Sequence, residues 1–136
     1  GEMDPLSKFA FLPGYSEIKT GREPSSREYD YCFVLDCGNT ERMGAFQWLL
    51  DSSREVFNID HHVSNTRFGD RQWIDPTVSS TSELITRLAG ESGLTVSPEA
   101  ATCLLSGIIM DTGGFLYENT SPETHRTATL QEPPPR

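Results

Sequence analysis

A short run of β-branched and aromatic residues, YDYCFVLD at positions 29–36, constrains the fold more than any other stretch of the chain. Its composition is typical of a buried β-strand, and the Gly-Asn pair at positions 38–39 indicates a turn directly after it. Thr40 can cap a helix, which we predict from residue 41 to about residue 50, with the acidic Glu41 in its first turn. A strand followed at once by a helix is the repeating unit of α/β proteins.

The alternation of strand and helix patterns continues along the chain. Further strands are predicted at residues 55–59 and 71–75, and shorter ones at residues 9–12 and 115–117. Further helices are predicted where a serine can act as a cap, and apolar residues at helical spacing follow the first two caps. These caps are Ser80, Ser97 and Ser121. We therefore predict an α/β domain with a largely parallel sheet flanked by helices.

Length, charge and cysteine content narrow the class of protein. A chain of 136 residues is one domain by length. Its net charge of −9 argues against a surface that grips long duplex nucleic acid, because such surfaces need many Lys and Arg contacts to phosphates. No apolar run approaches the roughly 20 residues needed to cross a bilayer, so no membrane contact is expected. The three cysteines form no CxxC pair, which indicates reduced thiols in a cytoplasmic protein.

Polar residues follow the predicted strands at three places. Asp36 ends the first strand, the triplet at positions 60–62 in NIDHHVSN follows the second, and Asp111 stands where a helix meets the turn sequence DTGG. Ligands of open α/β sheets bind beyond the carboxyl ends of the strands. We therefore predict that these side chains meet in one crevice.

The residue types in this set indicate metal chemistry. Carboxylates combined with imidazole suit Mn²⁺, and also Fe or Zn, which makes Asp36, His61 and Asp111 candidate ligands. A ligating histidine usually donates its other ring N–H to a carboxylate, and Asp60 is a candidate for that supporting role. His62 points differently from His61 and is therefore available to contact a substrate oxygen.

Each of these residues also has a structural interpretation. An Asp after a strand or before Gly-Gly is a common turn residue, which applies to Asp36 and Asp111. Two adjacent histidines are as often surface residues as site residues. Ser80 and Thr81 fit a helix cap better than a phosphate-binding site, although the N-terminus of a helix can serve both purposes.

Five segments of the chain closely resemble the DHH phosphoesterase family, within the RecJ-like superfamily. The resemblance is strongest to the bacterial branch that combines oligoribonuclease and 3′-phosphoadenosine-5′-phosphate phosphatase activities, and it covers residues 9–128. DHHVSN with a following FGD and a later DTG is far more specific than DHH alone. The segments are FLPG (11–14), VLDCGN (34–39), NIDHHVSNTRFGD (58–70), WIDPTVSSTSEL (73–84) and GIIMDTGGFLYENTSPETHRTA (107–128).

The resemblance implies a function and a role for each site residue. It implies a hydrolase that cleaves phosphate esters of short oligoribonucleotides or small nucleotides through a water activated by Mn²⁺, with Mg²⁺ as an alternative ion. Asp36 corresponds to an aspartate that bridges two Mn²⁺ ions, and His61 and Asp111 correspond to ligands of one of them. His62 corresponds to the residue that contacts the scissile phosphate, and Asp60 supports it.

The chain departs from the family pattern at both ends. The family's first motif, an HxxPDxDxxGS-like run that supplies most ligands of the other ion, has no match in the residues upstream of Phe9, and we expect the glycine-rich second domain to be missing from this sequence. We expect an N-terminal loop at residues 1–8, a partial DHH domain at 9–128 and an unrelated tail at 129–136. We also expect one weak metal site, little or no turnover, and an exposed sheet edge compatible with a homodimer. The alternatives are a non-catalytic remnant that binds metal, nucleotide or a partner, and a manganese-dependent inorganic pyrophosphatase.

Overall fold

The computed structural model describes residues 7–19 and 27–130. The chain divides into two compact units, with the boundary between Asp75 and Pro76. The predicted domain boundaries near residues 8 and 128 stay predictions, and most of the tail predicted at residues 129–136 lies outside the described residues. Among the described residues, no helix is both long and apolar enough to cross a membrane.

The first unit contains a parallel sheet of three strands, β1 (Tyr29–Leu35), β2 (Ser53–Asp60) and β3 (Arg71–Ile74), in the order β1-β2-β3. Both strand pairs are parallel, which confirms the predicted sheet type. Leu35 lies opposite Ile59 in the register of β1 and β2. The carboxyl ends of these two strands are therefore neighbours at one edge of the sheet, as predicted.

The prediction of a buried strand at residues 29–36 is wrong for one face of β1. Val34 is buried, but Tyr31 and Phe33 are exposed to 58% and 60%. Phe33 instead stacks on Phe57 of β2, with ring centroids 4.9 Å apart. Val34 packs in a hydrophobic core cluster, whose members are Val34, Cys37, Met43 and Val56.

The single helix predicted at residues 41–50 is also wrong in detail. The structure has a 3₁₀ helix at Thr40–Phe46 and a short α1 at Trp48–Asp51. Gly44, at φ 53° and ψ −127°, has a non-helical backbone and interrupts the helical path. The cap is Asn39 rather than Thr40, because the Asn39 side chain accepts a hydrogen bond from the Arg42 N–H.

The second unit contains three helices, α2 (Thr81–Glu91), α3 (Pro98–Asp111) and α4 (Pro122–Thr129). Each begins after the serine that the sequence predicts as its cap, and that serine accepts a hydrogen bond from a backbone N–H in the first turn. Leu84 of α2 and Ile108 of α3 are fully buried. A Cβ on Gly107 would lie 2.0 Å from Ser82 Oγ, so α2 and α3 approach closely at this glycine.

The two short strands predicted at residues 115–117 and 9–12 are wrong. Gly113, Gly114 and Phe115 all have positive φ, and extended pairing is impossible for a chain that turns in this way. The N–H groups of residues 116 and 117 both donate to the Thr112 carbonyl oxygen, which closes the turn. Phe9 is the last residue of a 3₁₀ helix at Ser7–Phe9, and residues 10–12 continue in turns.

Candidate functional site

Asp36 lies directly after β1 and has a left-handed backbone, with φ at 57°. Residues other than glycine rarely adopt this left-handed backbone region, and Asp is one of the residue types that adopts it most readily. The Asp36 N–H donates to the Ile59 carbonyl oxygen at 3.0 Å, so the pairing of β1 with β2 continues into the turn. The Asp36 side chain is 52% exposed and is accessible to a ligand.

The two adjacent histidines follow β2 and lie beside Asp36. The distance from His61 Nε2 to Asp36 Oδ1 is 3.5 Å, and the distance from His62 Nδ1 to the same oxygen is 4.0 Å. The two imidazole rings are tilted by 59° with centroids 4.8 Å apart, so they present their nitrogens in different directions. The prediction that Asp36 and the histidines come together is therefore confirmed in its geometry.

Asp60, the last residue of β2, is fully buried and orients His62. Its Oδ1 lies 2.7 Å from His62 Nδ1, and its Oδ2 accepts a hydrogen bond from Asn65 Nδ2 at 2.6 Å. Burial alone would raise the pKa of the Asp60 carboxyl, but the hydrogen bonds from Asn65 and His62 and the charge of His62 outweigh it. The pKa of Asp60 consequently lies below its ordinary value of 3.8, and the carboxylate is ionised at neutral pH.

This geometry fits a divalent cation. Within residues 7–19 and 27–130, Asp36, His61 and His62 form a group whose ligand atoms lie within 4.8 Å of one another. A metal ion binds carboxylate oxygen and imidazole nitrogen at about 2.0–2.2 Å, so one ion can contact both Asp36 Oδ1 and His61 Nε2 across 3.5 Å. His62 is the weaker candidate ligand, because its Nδ1 already pairs with Asp60.

Two asparagines that our sequence interpretation missed border this group. Asn58, fully buried in β2, donates from Nδ2 to the carbonyl oxygens of Val34 and Cys37, both at 3.2 Å. Asn65 Nδ2 lies 2.9 Å from Asn58 Oδ1 and 2.6 Å from Asp60 Oδ2. The signal in the sequence was alternation, since Asn58 and Asp60 lie two residues apart and share one face of a strand.

Asp111 is the last residue of α3, in the second unit, and its side chain is partly buried. Thr112 secures the end of the helix, because its Oγ1 donates to the Ile108 carbonyl oxygen and accepts from the Phe115 N–H. Asn119 Nδ2 donates to the carbonyl oxygens of Asp111 and Ser79, at 3.1 and 3.0 Å. The position of Asp111 at a helix end before a tight turn is as predicted, and its role as a ligand stays a prediction.

Ser80 and Thr81 stand at the start of α2, in the same unit, and both are buried. Ser80 Oγ accepts the Glu83 N–H at 3.1 Å, which favours the capping interpretation over phosphate binding. The Glu83 carboxylate does not complete a capping box with Ser80. It accepts hydrogen bonds from the N–H and Oγ of Ser79, from Thr124 Oγ1 and from Arg87.

The fold and this cluster define the class of protein, and the comparison with family models agrees. Residues 7–108 match the model described as the DHH family, N-terminal domain. The chain belongs to the DHH family, as the motifs around Asp36 and the DHH triplet indicate.

Particular relatives are bacterial. The chain is 42% identical over 73 residues to the bifunctional oligoribonuclease and PAP phosphatase NrnA of Thermus thermophilus, covering 54% of this chain and 22% of that protein. It is 32% identical over 119 residues to NrnA of Bacillus subtilis, covering 85% and 38%. The crystal structure of an exopolyphosphatase-related protein from Bacteroides fragilis superimposes with a TM-score of 0.71 at 30% identity, covering 75% and 31%. The chain thus spans well under half the length of the relatives it matches.

Proposed function

We propose that this chain carries part of the active site of a metal-dependent phosphoesterase that acts on short oligoribonucleotides or small nucleotides such as 3′-phosphoadenosine-5′-phosphate. The observation that supports this proposal most strongly is the arrangement of Asp36, His61 and His62 at the ends of two adjacent parallel strands, with the buried carboxylate of Asp60 behind them. The names of the Thermus and Bacillus relatives indicate the same substrate class.

Asp36 and His61 are the proposed ligands for Mn²⁺ in the first unit, and Asp111 is the proposed ligand from the DTGG turn. When bound, the ion lowers the pKa of a water and offsets the negative charge of the phosphate. A mixed carboxylate and imidazole set suits Mn²⁺ better than Mg²⁺, which prefers oxygen ligands.

His62 is the proposed contact to the scissile phosphate. With the Asp60 carboxylate 2.7 Å from Nδ1, the ring holds its proton at that nitrogen and places Nε2 on the side away from Asp60. A protonated ring can donate from Nε2 to a phosphate oxygen, and this contact strengthens as charge develops during hydrolysis. Asp60 fixes the orientation of the ring. Ser80 and Thr81 stay weaker candidates for substrate contact.

The chain by itself is proposed to bind one Mn²⁺ weakly and to turn over little or no substrate. A cytoplasmic location, indicated by the cysteine content, and a homodimer through the exposed sheet edge are further expectations. A non-catalytic domain that binds metal, nucleotide or a partner is the second candidate.

The test uses the three histidines as a matched set, with His125 as the control because its ring stacks on Phe115 and it is not in the group of possible metal ligands found among the described residues. We expect His61→Ala to weaken Mn²⁺ binding by at least tenfold, measured from the free Mn²⁺ signal in electron paramagnetic resonance, because a direct ligand is lost. His125→Ala should leave the affinity unchanged. Equal affinities in the two variants would refute the site.

A substrate panel then separates the candidate functions. The chain is incubated with Mn²⁺ and 3′-phosphoadenosine-5′-phosphate, a diribonucleotide or pyrophosphate, and products are measured alongside binding. Any hydrolysis must disappear in His62→Ala, because that variant removes the proposed phosphate contact. Slow hydrolysis of either nucleotide that depends on Mn²⁺ supports the phosphoesterase, nucleotide binding with no detectable hydrolysis supports the non-catalytic domain, and hydrolysis of pyrophosphate alone supports an inorganic pyrophosphatase.

A further inference from the structure

We infer that Asn58 and Asn65 form a positioning pair that sets the Asp36 carboxylate and the His62 ring relative to each other. The inference rests on the proposed function, since it assigns residues to the same site. It adds two residues that touch neither the proposed metal nor the substrate.

Asn58 holds the turn that carries Asp36. Its amide has two N–H groups, and these reach the Val34 and Cys37 carbonyl oxygens, each at 3.2 Å. One acceptor precedes Asp36 in the chain and the other follows it, so the amide spans the turn in which Asp36 is left-handed. A backbone conformation that is disfavoured for a non-glycine residue persists only when neighbouring contacts hold it.

Asn65 holds the residue that orients His62. Its two N–H groups make their shortest contacts to Asp60 Oδ2 at 2.6 Å and to Asn58 Oδ1 at 2.9 Å, and the contact to Cys37 O is longer at 3.3 Å. Asn65 Oδ1 in turn accepts the Arg67 N–H at 2.6 Å, which fixes the direction of the amide. Asp60 Oδ1 is thereby left facing His62 Nδ1.

The two amides connect both sides of the site through a continuous chain of hydrogen bonds. On one side the path runs from the Asp36 turn to Asn58, and on the other it runs from Asn65 through Asp60 to His62. Asn58 and Asp60 are fully buried, so water cannot replace a lost partner cheaply. Removal of Asn65 takes a donor from the Asp60 carboxylate and breaks the link between the two sides.

The first measurement is made on the metal-free chain, which keeps it independent of the proposed metal. Long-range proton–nitrogen correlation spectra report the tautomer of each of the three imidazoles. We expect His62 in the wild type to show a proton held on Nδ1, and in Asn65→Ala to show averaged nitrogen shifts because Asp60 no longer has one orientation. The matched control is Asn39→Ala, which removes the cap on the Arg42 N–H and leaves the pair intact.

The second measurement is Mn²⁺ affinity, followed through the free-ion signal. Loss of a supporting partner typically lowers metal affinity 10–100-fold, so we expect about a tenfold loss in Asn65→Ala and less than twofold in Asn39→Ala. Asn65→Ser retains one donor and should fall between Asn65→Ala and the wild type. If circular dichroism shows that Asn65→Ala does not fold, Asn65→Ser is tested in its place.

The outcomes distinguish this inference from the proposed function. If folded Asn65→Ala keeps both the wild-type His62 spectrum and the wild-type Mn²⁺ affinity, the asparagines are only structural and the inference is wrong. If the wild type itself binds no Mn²⁺, the proposed metal site is wrong, and the metal-free His62 spectra alone decide whether the pair positions the ring.

Discussion

A buried carboxylate at the end of β2 links the stability of the fold to the chemistry of the site. Asp60 has no exposed side-chain surface, and its two oxygens are held by His62 on one side and Asn65 on the other. These donors more than compensate for burial, which is why the pKa of the carboxyl is lowered rather than raised. The ionised form is thus favoured by folding.

This lowered pKa predicts how stability depends on pH. A group whose pKa falls on folding stabilises the native state above its unfolded pKa, near 3.8 for Asp, and that contribution is lost as the pH falls through the folded value. We expect Asp60→Asn to be less stable than the wild type at pH 6 and to lose less stability on acidification to about pH 3. Urea unfolding of metal-free protein measures both values.

Asp51→Asn provides the control for this experiment, because Asp51 is an exposed carboxylate at the end of α1. The stability of Asp51→Asn should fall on acidification by the same amount as that of the wild type. If the free energy of unfolding of Asp60→Asn falls with pH in parallel with that of the wild type down to pH 3, the contacts of Asp60 with its partners do not stabilise the fold.

At the scale of elements, the sequence predicts regular structure well and irregular structure poorly. The strands of the sheet and the capped helices depend on local signals, such as YDYCFVLD and the serines before α2, α3 and α4, and these predictions are confirmed. The turn after α3 was predicted as a strand, because FLY has strand composition. Three successive left-handed residues, Gly113 to Phe115, override that preference.

In the candidate site, too, some residues could be predicted from the sequence and others could not. Asp36 and the histidines could be placed together from the sequence, because parallel strands bring their carboxyl ends to one edge. Alternation places Asn58 on the same face of β2 as Asp60, but the partners of Asn58 and Asn65 could not be predicted, because their contacts to Cys37 span 21 and 28 residues of sequence. A hydrogen bond over such a separation leaves no local pattern to recognise.

The close approach of α2 and α3 in the second unit predicts opposite effects for two glycines. A Cβ at position 107 would lie 2.0 Å from Ser82 Oγ and 3.0 Å from Ser82 Cβ, so Gly107→Ala should destabilise by about 1–3 kcal/mol through overpacking. Gly90 in α2 has nothing within 4 Å of the added atom, and Gly90→Ala should stabilise by about 0.5 kcal/mol. Denaturant unfolding measures both variants.

A neutral or stabilising Gly107→Ala would mean that the two helices separate without cost and that the observed crossing is not tightly packed. The Gly90 variant tests whether alanine acts only through helix propensity. That effect has the same sign at both positions, so on its own it would change the stability of both variants in the same direction.

At the scale of the whole molecule, a net charge of −9 creates weak cation binding that must be separated from a built site. Exposed carboxylates attract divalent ions weakly. Salt screens this attraction, because the Debye length is about 8 Å at physiological ionic strength. A site that combines imidazole with carboxylate ligands coordinates the ion directly, so its affinity for the ion depends much less on the salt concentration. The same charge leads us to expect weak affinity for long duplex nucleic acid at that ionic strength.

The proposed set of protein ligands therefore predicts one Mn²⁺ per chain rather than two. Titration calorimetry at about 0.15 M salt should show a single coordinated ion, with Zn²⁺ binding more tightly than Mn²⁺ because imidazole ligands favour the later metal. At a hundredfold excess of Mn²⁺ over its dissociation constant, the chain should gain about 2.7 kcal/mol of stability, and Asp36→Asn should lose most of that gain. Raising the salt should remove surface binding and leave the single site. Two tight Mn²⁺ sites in the wild type would instead require a second set of ligands, and the proposed weak single-metal site would then be wrong.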